Sequence, residues 1–206
     1  MKRVILAVCI LLSGCSKEDK QANQKDDFIS QIKDQAYLGT AKSKMYLNGE
    51  DPLRSIEGTA SLSADNINGD SLTLSIVVEL PEGDGFTLGI PGKQQGKAWQ
   101  ALLPNGTFAI EKNGSMSGRV SDGEKEISWG GNLGGDYAIF DVRIKYTVDD
   151  GNIPASSILV TQFDLSRFID GAANNETGCE QIIWQIRPVF NLYSGGVDLI
   201  SVPVCH

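Results

Sequence analysis

Six carboxylates stand where acid–base chemistry could be built: Glu50, Asp51, Glu124, Glu126, Asp149 and Asp150. Two carboxyls facing each other across strands would supply the acid and the base or nucleophile that glycoside hydrolysis needs. Each of the six, however, lies at or beside an expected turn, where acidic side chains solvate the chain and bond its backbone. The only histidine, His206, is the last residue, so a histidine base inside a folded site is not expected. Ser-His-Asp and Cys-His catalysis fall away with it, as do histidine-rich zinc sites. The glycine runs at 92–97 and 130–135 match neither a Walker nor a dinucleotide pattern and precede no helix; they read as flexible loops. Asp149-Asp150-Gly151-Asn152 lacks EF-hand spacing and reads as a turn. No catalytic residue, metal or cofactor is therefore expected. Three tryptophans remain, Trp99, Trp129 and Trp184. Buried indoles fill cores or line cavities, and exposed ones can stack on sugar rings. Trp99 and Trp129 are the candidate ligand-binding residues, expected near the mouth of a cavity.

The four cysteines divide by position. Cys9 lies in an apolar run, Val4–Leu12, that follows the basic pair Lys2 and Arg3. That run is far short of the ~20 residues a membrane-spanning helix needs, so it reads as the core of a signal peptide. It ends in Leu12-Ser13-Gly14-Cys15, which resembles the lipobox of bacterial lipoproteins. Residues 1–14 are then removed, and the Cys15 thiol carries the lipid through which the chain meets a membrane. Residues 15–27 contain no large apolar side chain and form a flexible tether. Its opening Ser16-Lys17-Glu18-Asp19 is similar to a short acidic sorting signal, which makes the outer membrane the expected location, on its periplasmic face or at the cell surface. Cys179 and Cys205 are left as a pair in an oxidising compartment. Bridged, they would close a loop and contribute roughly 3 kcal/mol. Two unpaired thiols are the alternative.

The formal charge of −8 becomes −10 once Lys2 and Arg3 are cut away. So acidic a chain repels phosphate backbones, and nucleic acid is excluded as a partner.

Any site must be carried by the elements that follow the tether. Phe28, Ile29, Ile32 and Ala36 recur at helical spacing and predict a short amphipathic helix. From Tyr37 the period falls to two. Ile56, Gly58, Ala60, Leu62 and Ala64 alternate with polar neighbours, as do Leu72, Leu74, Ile76, Val78 and Leu80. A hairpin connection at 66–70 separates the two runs. Further strands are expected near 97–103, 107–112, 115–120, 125–129 and 136–148, punctuated by Asn-Gly and Asp-Gly turns. Ser157–Phe163 reads as a strand, Asp164–Ile169 as a helical turn and Gly171–Gly178 as an exposed loop. Gln181–Arg187 is a strand that Pro188 confines to an edge or a bend, and Val197–Cys205 is the last strand. Residues 28–206 thus form one all-β domain. It is an antiparallel meander closed as a barrel or folded as a sandwich, with a short N-terminal helix.

The lipobox, Tyr37-Leu38-Gly39-Thr40-Ala41, the Asn48-Gly49 turn and Gly58-Thr59-Ala60-Ser61-Leu62 leading into a long hairpin look like the start of the calycin-like (lipocalin-like) lipoproteins of uncharacterised function. The likeness covers residues 37–148 and carries no catalytic residues. It implies an up-and-down barrel with an internal cavity, and places the last fifty or so residues outside it. Small inward residues on the first two strands (Gly39, Ala41, Ser43, Gly58, Ala60 and Ala64) are expected to leave that cavity as a void. The expected function is non-enzymatic binding of a small apolar or amphipathic ligand, or of a partner protein. The alternative is an accessory role in capture of extracellular glycans.

Overall fold

The computed structural model describes residues 28–47, 52, 54–81, 85–151, 153–169, 181–191 and 197–205. A helical turn, α1 (Phe28–Ile32), precedes a run of strands whose buried side chains are mostly apolar. The first four are β1 (Ala36–Tyr46), β2 (Arg54–Asn68), β3 (Ser71–Glu79) and β4 (Gly85–Gln95). Next come β5 (Ala98–Ala101), β6 (Gly106–Ile110), β7 (Ser115–Ser121) and β8 (Lys125–Leu133). The last are β9 (Tyr137–Tyr146), β10 (Ile158–Arg167), β11 (Ile182–Asn191) and β12 (Val197–Cys205).

Each of the first ten strands pairs antiparallel with its neighbour in sequence, and β10 returns to pair with β1 from Tyr37↔Arg167 to Tyr46↔Ile158. The result is a closed antiparallel barrel of 10 strands, the barrel form of the expected meander. Closure satisfies edge groups that an open sheet would expose. Turns at Gly69, Gly96, Gly114 and Gly123 all have positive φ, which only glycine adopts without strain.

Four local expectations are corrected. Asp164–Arg167 is not a helical turn but the end of β10, because Leu165 continues the inward alternation of Phe163 and is fully buried. Residues 92–95 are not loop but the end of β4, paired Gly92↔Ala101 to Gln95↔Ala98. Gly130–Leu133 likewise belongs to β8, with Leu133 opposite Ala138. The barrel also extends past residue 148, since β10 forms part of its wall.

β5 is so short that it covers only one end of β4. Further along, the free edge of β4 pairs instead with β11, in parallel, at Phe190↔Leu88 and Asn191↔Gly89. The β11–β12 hairpin then folds back over the outside of the barrel. Its Val202 and Val204 pack on outward-facing Val77, the Ser201 N–H donates to the Asp65 carboxylate (3.1 Å), and Arg187 pairs with Glu79 (2.6 Å). Pro188 is accommodated because the β11 edge at that position is unpaired on the β4 side.

Candidate functional site

The direction of the strands gives the barrel two distinct ends. α1 leads into β1 and caps one of them, burying Phe28, Ile29 and Ile32. From the cap an aromatic column runs inward. Phe28 meets Trp99 at 6.1 Å between ring centroids, Trp99 meets Phe108 edge-on at 5.9 Å, and Phe108 meets Trp129 at 5.3 Å. Such contacts add roughly 0.5–1.5 kcal/mol each beyond the area they bury. Gly92 is glycine for a packing reason: a β-carbon there would fall against the indole ring of Trp99. Tyr37 completes this end by donating its hydroxyl to the Gly134 carbonyl (3.0 Å). Burial holds its pKa above the ordinary tyrosine value, against the lowering influence of Arg167.

At the other end the column stops at Trp129, which is only 4% exposed. Beyond it lies an apolar cavity of about 170 Å³. Its floor is Trp129 with Val142, Ile76 and Phe163, and Phe163 is held in place by stacking on Phe140 at 4.4 Å. Its walls rise through Ile127 and Ile144, which face each other in register, to Leu159, Leu88 and Phe86. Thr161 also lines it, but the Thr161 and Ser43 hydroxyls bond each other across β10 and β1 (2.9 Å). The indole Nε1 of Trp129 has no partner and is itself buried. The cavity therefore offers shape and apolar contact, with no polar group directed at a bound molecule.

Register places Lys125↔Tyr146 one rung above the Ile127↔Ile144 wall, on the same inward side. The Lys125 ammonium lies 5.2 Å from the centre of the Tyr146 ring and 2.8 Å from the Asp150 carboxylate. The hydrogen bond to Asp150 raises the lysine pKa above its ordinary value, so the ammonium stays charged. Two adjacent turns form this part of the rim, and they are tied together. The Thr147 N–H donates to the Glu124 carbonyl (2.8 Å), and its hydroxyl donates to the Gly123 carbonyl (2.9 Å). Outside the wall, a cleft of about 570 Å³ runs between β3, β4 and β11, crossed by the Glu79–Arg187 pair; Phe86 borders both spaces.

The expected site residues now have places. Trp129 lines the cavity, at its floor rather than its mouth; Trp99 does not line it, because it is walled in between Phe28 and Phe108 near the capped end. The void is not left by small residues either. Ala41 and Ala60 are buried within the packed core, and large side chains at strand ends surround the opening instead. Glu126 pairs with Arg119 on the outer surface (2.8 Å), and Asp149 caps the Ala155 N–H (2.7 Å), so the expected carboxylates act as surface and turn groups. Cys15, Cys179, Glu50, Asp51, Asn152, His206 and the 171–178 loop lie outside the described residues, as does the Cys205 side chain. Phe86 and Leu88 escape the sequence reading because Pro91 and four glycines between 83 and 92 mask the alternation of β4. Phe86-Thr87-Leu88 is the signal that could have exposed it. Trp184, at 55% exposure, stands on the outer face of the β11–β12 hairpin with Ile186 and Leu199. No protein-family model matches the chain, and no curated protein matches it.

Proposed function

We propose that this protein is a non-enzymatic binding module, anchored through lipid on Cys15, whose barrel takes the hydrocarbon part of a small apolar or amphipathic ligand. The cavity over Trp129 carries the reading. Dry apolar cavities of about 150 Å³ accept a molecule the size of benzene, so one ring or a short alkyl chain fits here. The likeness of residues 37–148 to calycin-like lipoproteins points the same way.

The anchor rests on the lipobox at Leu12–Cys15. A tether over residues 15–27 would span on the order of 20 Å as a coil. It would join the barrel at Phe28, at the capped end. The same compartment favours a Cys179–Cys205 bridge. Glycan capture, the other reading, would rest on Trp184, the one tryptophan left exposed.

Native mass spectrometry of the protein purified from its own host tests the cavity: a retained small molecule is expected, absent from an Ile127→Trp variant whose indole fills the space. Equal ligand content in both proteins would contradict it. For the anchor, Cys15→Ala is expected to leave the precursor uncleaved and unlabelled by palmitate. Normal processing of that variant would end the lipoprotein reading.

A further inference from the structure

We propose that the outer face of the β11–β12 hairpin is a docking surface for a second copy of this chain, the two hairpins packing face to face about a two-fold axis. The proposal stands apart from both the cavity reading and the lipid anchor. It starts from the way the hairpin distributes its side chains. Toward the barrel it sets Val202 and Val204 on Val77, together with Arg187, which bonds Glu79 (2.6 Å) and Gln185 (3.1 Å). On the opposite side, facing water, the register places Trp184 and Ile186 of β11 on one surface with Val197 and Leu199 of β12. These four are 55%, 76%, 66% and 74% exposed, and no charged residue shares their face.

Together they present on the order of 500 Å² of apolar surface, the size of patch that marks an interaction site on a monomer. Two such faces laid together remove about 1,000 Å² from water, the least that a specific interface needs, before any rim residue is counted. Neither residues 15–27 nor residues 170–180 contain a large apolar side chain that could cover the face from within the chain. A second copy suits it for two reasons beyond area. The face of a strand pair is flat and packs on its own kind as sheets do in a sandwich, and a two-fold contact is self-complementary. The chain also carries a formal charge of −8, so two copies repel each other except where they meet through an uncharged face. A bilayer surface suits it less well. Faces that lie on membranes are flanked by basic side chains, whereas Arg187 is the one basic residue of β11 and β12 and is engaged by Glu79.

The test places the photo-cross-linker p-benzoylphenylalanine at position 199 of the full chain, expressed in its own host. Irradiation is expected to give a species of twice the chain's mass. Its cross-link, mapped by mass spectrometry, should join position 199 to β11 or β12 of a second copy. The same label in place of Ile139, exposed on the outer face of β9, should give no such species. Adding Ile186→Asp to the chain labelled at 199 should cut the cross-linked yield about tenfold or more, because the contact would then bury an unpaired charge. In dilute solution the same change should leave the melting temperature nearly unaltered, since that side chain stands in water in the single copy. Val197→Asp is expected to repeat both results. Cross-links to lipid or to a different protein, equal yield from positions 199 and 139, no cross-link at all, or a yield indifferent to Ile186→Asp and Val197→Asp would each overturn the proposal.

Discussion

The two ends of this barrel are built from the same strands and do opposite things. At the capped end, α1 closes the barrel and Phe28, Trp99 and Phe108 fill it, with Tyr37 tying β1 to the β8–β9 turn. At the open end Phe86, Phe163 and Trp129 share the cavity lining with Ile127, Ile144, Leu88 and Leu159, no helix among the described residues covers them, and β4 exchanges its barrel partner for β11. One end spends its apolar residues on cohesion, while the other leaves part of its apolar surface uncovered. The difference shows how a ten-stranded meander, wider than the eight-stranded barrels that side chains just fill, supports both a rigid core and a vacant space. The larger circumference is filled by the Phe28–Trp99–Phe108 column toward the capped end and leaves a cavity of about 170 Å³ beyond Trp129.

The comparison breaks if the two ends respond alike to truncation. Trp99→Ala is expected to cost about 3–5 kcal/mol of folding stability in denaturant titrations. Ile127→Ala at the open end should cost less than about 1.5 kcal/mol, because that side chain already borders empty space and solvent. Equal losses would mean the open end is packed as tightly as the capped one. Gly92→Ala probes the capped end from the opposite direction. The new methyl must displace the Trp99 indole, and about 1–3 kcal/mol should be lost to overpacking. An unchanged unfolding midpoint would show that the indole has room to move.

Ile127→Trp sharpens the contrast. At the open end a larger side chain enters vacant volume, so a gain of about 0.5–2 kcal/mol is expected alongside loss of ligand binding. Destabilisation would indicate that the space is smaller than described. The smallest effect concerns Tyr37. Its pKa is raised in the folded protein, so the unfolded chain loses the phenol proton first. The stability this contributes is present below pH of about 10 and is lost as pH rises from the unfolded toward the folded value. Tyr37→Phe should therefore unfold with a shallower alkaline dependence than the unaltered chain. An identical alkaline slope in the two proteins would count against the shift.

Much of the barrel was legible because its strands have one wet face and one dry face. In β9, buried Ala138, Phe140 and Val142 alternate with Tyr137, Ile139 and Asp141, a period-two pattern no helix could tolerate. β4 was not legible: its glycines and Pro91 interrupt the alternation, and its edge is completed partly by β5 across a tight turn and partly by β11, about a hundred residues on. β10 was cut short because Asp164, Ser166 and Arg167 look like a polar helical turn until the barrel shows Asp164 and Ser166 on its outward side and Arg167 opposite Tyr37. For the cavity, counting small residues misled. A void arises where side chains fail to meet, which depends on strand stagger and on which rung the aromatics occupy. Trp129 was identifiable as a candidate by type alone, whereas its separation in role from Trp99 required knowing where α1 docks.

The central claim is that an apolar guest enters one end only. Methyl NMR of the full chain, titrated with n-octanol, tests it most directly, because methyl-bearing residues mark both ends. Shifts are expected at Ile127, Ile144 and Leu159, which line the cavity, with little change at Leu72, Ile110 and Leu165 in the packed interior. Shifts spread evenly over both sets, or confined to the capped end, would contradict the account.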